Sequence, residues 1–123
     1  MRAFLAEQCR RFGWTLIWSW RGWRAAWASE RTLRQWSLAN IVSAALAFAL
    51  PLGGTERALI LALGLLVLAA ELLNTAIEET VNLVSTDEHP LAAKAKDCAS
   101  AGVALTALAA GVAWAILLWD HIG

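Results

Sequence analysis

Three stretches of this chain stay apolar for long enough to cross a bilayer, for which roughly 20 residues are needed. Residues 35–55 carry no charge and are mainly apolar from Leu38 to Leu52, with Asn40 as an exception. Residues 58–77 form a second apolar run, interrupted only by Glu71 and Asn74. Residues 98–119 form a third, uncharged throughout and rich in Ala and Gly. Between them, PLGGTE (51–56) supplies a proline and two glycines, and STDEHP (85–90) a polar loop. The pattern predicts an all-α integral membrane protein with spans over about 35–53, 57–84 and 92–120.

The first 30 residues follow a different pattern. Phe12, Leu16, Trp20, Trp23 and Trp27 recur at intervals of three or four. At about 100° per residue they lie within an arc of roughly 80°, with Arg10, Arg21 and Arg24 on the opposite side. Five of the eight tryptophans lie in the first 30 residues and a sixth follows at Trp36, and indole rings favour headgroup depth. An amphipathic surface helix is therefore predicted over about residues 5–30. On pattern alone it reads equally as a simple anchor, and Trp14 and Trp18 lie off its apolar stripe.

Composition agrees with the membrane class: 59% of the 123 residues are hydrophobic and the mean hydropathy is +0.55. This is one domain at most. Ten basic and ten acidic residues cancel, so net charge gives no reason to expect a nucleic-acid partner. Seven of the ten basic residues lie in the first 34 positions, and Lys94 and Lys96 follow the second loop. These flanks predict a cytoplasmic N-terminus and a multi-pass topology. Residues 1–30 lack the compact apolar core and small-residue site of a cleavable signal peptide. Cys9 and Cys98 are too few and too distant to suggest a disulfide framework or a metal cluster.

A carboxylate inside an apolar run is costly, and Glu71 is a functional-site hypothesis for that reason. On a helix Glu71, Asn74 and Glu78 share one face within about 60°, and Glu79 turns roughly 100° away from Glu78. Glu71 and Glu78 stand about 10 Å apart along the axis, so two separate roles are expected. Across the loop, Lys96 and Ser100 share a face at the start of the third span, with Asp97 beside them. Both stripes occupy the same end of adjacent helices. Together they offer hard oxygen ligands for Mg²⁺ and an ammonium for phosphate oxygens. Taken singly, Glu78, Glu79, Lys94, Lys96 and Asp97 also read as solvated helix-end charges.

The run ELLNTAIEETVN (71–82) followed by KAKDCASAG (94–102) resembles the E-x-x-N-[ST]-A-I-E and A-K-D signatures of the prokaryotic integral-membrane diacylglycerol kinases. RAAWASERTLRQ (24–35) and WAILLWDHIG (114–123) add to the resemblance, which covers about residues 11–123. It implies a homotrimer of three-span protomers in the bacterial cytoplasmic membrane, transferring the γ-phosphoryl of MgATP to the hydroxyl of diacylglycerol. By resemblance Glu71 is the general base, Asn74 its orienting amide, Glu30 and Glu78 the metal ligands, and Lys96 and Asp97 the nucleotide-binding pair. Arg11, Trp18, Asp87, Glu88 and His89 join the nucleotide site. Arg11, Thr15, Leu16, Ile17, Trp18, Ser19, Trp20, Arg34, Gln35, Arg57, Glu71, Ser100, Trp114 and Trp119 occupy positions assigned to the lipid site. Two departures stand out: Asn82 replaces a usual Asp, and Trp36 stands where close relatives carry an acid.

The residue types suit phosphoryl transfer, which asks a protein mainly to position reactants and neutralise charge. A lipid hydroxyl is held near headgroup depth by its acyl chains, so its base has to sit at the end of a span. The chain has neither a G-x-x-x-x-G-K-[ST] loop nor the H-R-D and D-F-G motifs of protein kinases. The glycines of GVALTALAAG (102–111) lie in a span, where small residues serve helix packing. Undecaprenol kinases of the same family carry nearly the same residues. A small proton-coupled exporter could also use one intramembrane glutamate, though it would not need Lys96, Asp97 or an acidic loop.

Overall fold

A computed structural model describes residues 1–122 as four α-helices in chain order, with no strand among the described residues. They are α1 (Arg2–Ser29), α2 (Arg31–Ala49), α3 (Gly54–Val84) and α4 (Pro90–Ile122). Local chemistry fixes the boundaries. Glu30 takes an extended conformation (φ −107°, ψ 109°) and separates α1 from α2. Leu50 is extended before Pro51 (φ −85°, ψ 152°), as a residue preceding proline prefers, and this ends α2. At the start of α3 the Gly53 N–H donates to Glu56 Oε2 at 2.8 Å, satisfying one orphan donor of the first turn. Pro90 opens α4, where a missing N–H costs nothing, and His89 Nδ1 accepts from the Leu91 N–H at 3.1 Å.

α3 packs along α4 on one side and α2 on the other, and α1 touches α2 and α3 only. A small core of Ala47, Leu52, Ile60, Ala113 and Leu117 closes the end of the bundle near the α2–α3 turn. Arg57 staples that turn: its Nε donates to the Ala47 carbonyl at 2.8 Å and its guanidinium lies 5.2 Å from the Phe48 ring centroid. His121 at the end of α4 meets Glu56 at 3.1 Å. The Gly53 N–H and His121 together hold the Glu56 carboxyl below the usual carboxylate range.

α3 and α4 are each long and apolar enough to cross a membrane, yet only 22% and 11% of their most apolar windows is buried within the chain. A core helix of a soluble protein hides most of its apolar surface. Here Leu65, Leu73, Leu105 and Ile116 are all exposed, as lipid contact or a neighbouring helix requires. α2 is shorter and carries Ser37, Asn40 and Ser43 in its middle. Its polar groups are spent between helices: Asn40 Nδ2 donates to the Gly64 carbonyl at 3.0 Å, and Ser43 Oγ accepts from Trp114 Nε1 at 2.9 Å.

Candidate active site

The first α2 turn meets α3 at Glu71, whose side chain is buried (5% exposed). Thr32 Oγ1 donates to Glu71 Oε2 at 3.2 Å across 39 residues of sequence. One turn further along α3, Asn74 Nδ2 donates to Glu78 Oε1 at 3.4 Å, which leaves Asn74 Oδ1 buried without a hydrogen-bond partner. Glu78 is half-buried, whereas Glu79 points away and is exposed. Asn82 continues the same face one turn beyond Glu78, and Lys96 Nζ of α4 donates to its Oδ1 at 2.7 Å. The stripe thus runs Glu71, Asn74, Glu78, Asn82 over about 16 Å, with a lysine from the neighbouring helix at its outer end.

Lys96 forms no ion pair among the described residues, so its charge stays uncompensated beside a neutral amide. It also lines one hollow with Asp87, Glu88 and His89 of the α3–α4 loop, which brings four of the predicted nucleotide residues together. Asp97 and Ser100 are exposed on α4. Gln35 and Trp114, both predicted at the lipid site, face a common groove between α2 and α4. Arg34 donates to the carbonyls of Trp27 and Ala28 and ties the end of α1 to α2.

A second, larger groove of about 1000 Å³ lies between α1 and the α2–α3 pair. Trp20, Trp23 and Trp27 form one wall and Ser37, Ile41 and Leu65 the other. Ser37 Oγ is buried there without a partner. The off-stripe tryptophans find one another instead, Trp14 stacking on Trp18 with ring centroids 6.4 Å apart. Arg11, Thr15, Leu16, Ile17, Trp18 and Ser19 are exposed on α1, and Trp119 is exposed on α4. Arg57 stands about 21 Å along α3 from Glu71, at the opposite end of the helix. Arg57 is therefore not brought to the Glu71 stripe within the chain.

Among the described residues no three His, Cys, Asp or Glu side chains gather closely enough to hold a metal ion. That is compatible with Mg²⁺ held by one or two carboxylates plus substrate phosphates, in place of an all-protein cage. The donors present are of the right kind: the Glu78 carboxylate and, beside it, the unpartnered Asn74 Oδ1. Glu30 lies half-buried at the α1–α2 break, two residues before Thr32.

Sequence reasoning passed over Thr32. Nothing in its spacing marks it, since its partner comes from a different helix.

The sequence profile of the family described as prokaryotic diacylglycerol kinase matches residues 17–118. The chain belongs to that family. A diacylglycerol kinase of Pseudomonas aeruginosa is 48% identical over 99 residues, 79% of each chain. That of Escherichia coli K12 is 38% identical over 105 residues, 85% of this chain and 86% of the relative. One from Helicobacter pylori is 33% identical over 116 residues, 94% of this chain and 87% of the relative. The matched region of this kinase contains Glu30, the whole Glu71 stripe and Lys96, and it begins after Arg11 and Thr15.

Proposed function

We propose that this kinase transfers the γ-phosphoryl of MgATP to the hydroxyl of diacylglycerol, giving phosphatidic acid at the cytoplasmic face of the bacterial inner membrane. The observation that carries the reading is Glu71, a buried carboxylate just past the middle of α3, where its apolar run gives way to polar residues, held by Thr32 and continued outward to Lys96. Glu71 takes the proton of the lipid hydroxyl as that oxygen attacks the γ-phosphorus. The bond from that phosphorus to the β–γ bridging oxygen breaks, and ADP leaves with the electron pair. Lys96 faces the phosphates as a point charge, and the acidic loop residues beside it frame the nucleotide. Glu78 and Glu30, with Asn74 Oδ1, would hold Mg²⁺, which supplies neutralisation of phosphate charge when bound.

The same reading makes α2 a third span. Its 19 residues rise about 28 Å, close to the hydrocarbon thickness. The basic α1 then lies in the cytoplasmic interface with its tryptophans at headgroup depth. A homotrimer is supported by the apolar faces each chain leaves open, among them Leu38, Ile41 and Phe48 of α2, and by the exposure of the predicted lipid-site residues Thr15, Leu16 and Ile17 on α1.

Purified protein in mixed micelles should consume ATP only when a lipid alcohol is added, with diacylglycerol giving phosphatidic acid. Turnover on undecaprenol in its place would reassign the substrate within the family. Lipid-independent behaviour, with proton-coupled transport, would overturn the kinase reading.

A further inference from the structure

We infer that Thr32 is a positioning residue for the general base, a role that rests on the assignment of Glu71 as that base. Four other hydroxyls in this chain are consumed locally, each donating to the carbonyl four residues back: Thr15 to Arg11, Ser19 to Thr15, Thr75 to Glu71 and Thr80 to Ala76. This is the ordinary fate of a helical Ser or Thr. Thr32 is the second residue of α2, two positions after the extended Glu30, so the turn that would hold such a carbonyl is broken. Its hydroxyl is directed across to α3 and meets Glu71 Oε2.

The consequence is an asymmetric carboxylate. Among the described residues Thr32 supplies the one hydrogen bond to the Glu71 carboxylate, and it engages a single oxygen. An ionised carboxylate only accepts and a hydroxyl has one proton to give, so the direction of this bond is fixed. Oε1 is left to receive the proton of the substrate hydroxyl. A β-branched threonine has few χ1 states, so the donor is itself stiff. The pairing holds the Glu71 rotamer and aims the accepting oxygen, which is how a neighbour of a base contributes to orientation. Thr32 is exposed on α2, so substitutions there leave the packed core intact.

The test compares Thr32→Val, which keeps the branched shape and loses the hydroxyl, with Thr32→Ser, which keeps the hydroxyl. With diacylglycerol in mixed micelles, Thr32→Val should lower kcat by about 10- to 100-fold while KM for MgATP stays within about twofold. Thr32→Ser should retain kcat within about threefold. In a Glu71→Gln background Thr32→Val should cost nothing further, because the two residues act as one unit. Thr32→Ala provides a second hydroxyl-free variant and should match Thr32→Val. Wild-type kcat in both hydroxyl-free variants, or equal losses in Val and Ser variants, would overturn the inference while leaving Glu71 as base. Full turnover by Glu71→Gln would overturn both.

Discussion

The side-chain amide of Asn40 donates to the carbonyl of Gly64, 3.0 Å away, where α2 and α3 approach so closely that a Cβ on Gly64 would collide with the Asn40 side chain. The same amide donates to the Trp36 carbonyl at 3.2 Å. A polar group in the middle of a span is thereby converted into a contact that fixes the α2–α3 crossing, and glycine is the residue that permits it. This crossing sets the position of Thr32 over Glu71 further along the same helix pair.

Gly64→Ala should force the Asn40 amide away and destabilise the protein by about 1–2 kcal/mol, and Asn40→Ala alone should cost about 1 kcal/mol. Once Asn40 is Ala the collision is gone, so the double variant should lose less than the sum of the two. Thermal inactivation in detergent reads all three. Strict additivity would show that the two residues do not share this contact.

Asn82 holds Lys96 Nζ at 2.7 Å without neutralising it. Asn82→Ala should therefore leave the charge and lose its aim, raising KM for MgATP by about three- to tenfold with little change in kcat. Lys96→Gln removes the charge itself and should weaken MgATP more strongly. Equal, unchanged KM values in both variants would place the phosphates elsewhere.

Much of the fold was legible in the sequence. The apolar runs over 58–77 and 98–119 mark α3 and α4, and the i, i+3, i+4 tryptophan pattern marks α1 as an amphipathic helix. The uncharged run over 35–55 marks α2 too, but the helix spans Arg31–Ala49, and Ser37, Asn40 and Ser43 interrupt its apolar pattern. Their reasons are partners 24 and 71 residues away for Asn40 and Ser43, which periodicity does not reveal. In the site, one-helix relationships were visible: Glu71, Asn74 and Glu78 on one face follow from 3.6 residues per turn. Contacts between helices were not. Thr32 on Glu71 depends on where the chain breaks at Glu30, and Arg57 turns out to cap α2 through a cation–carbonyl contact that its position in the turn only partly suggests.

Mg²⁺ dependence tests the carboxylates. Glu78→Gln and Glu30→Gln each remove an oxygen ligand's charge, so the Mg²⁺ concentration for half-maximal activity should rise by about tenfold or more, and MgATP binding should weaken. An unchanged Mg²⁺ titration in both variants would show that the ligands lie elsewhere.

The proposed sharing of sites between chains makes a separate prediction. A chain inactivated by Glu71→Gln, mixed with one lacking residues 1–20, should recover part of the activity if the proposed assembly pairs an intact α1 of one chain with an intact Glu71 stripe of another. Crosslinking establishes that mixed assemblies form. Mixed assemblies as inactive as both parents would mean that each site belongs to one chain.

The most direct measurement is phosphoryl transfer from MgATP to diacylglycerol by purified wild type and Glu71→Gln, with MgATP binding followed in parallel. The substitution preserves volume and removes proton acceptance. Wild type should form phosphatidic acid, and Glu71→Gln should show kcat lower by at least about 100-fold with MgATP binding near normal. Undiminished turnover by Glu71→Gln, or no lipid-dependent transfer by the wild type, would contradict a lipid kinase built on this buried carboxylate.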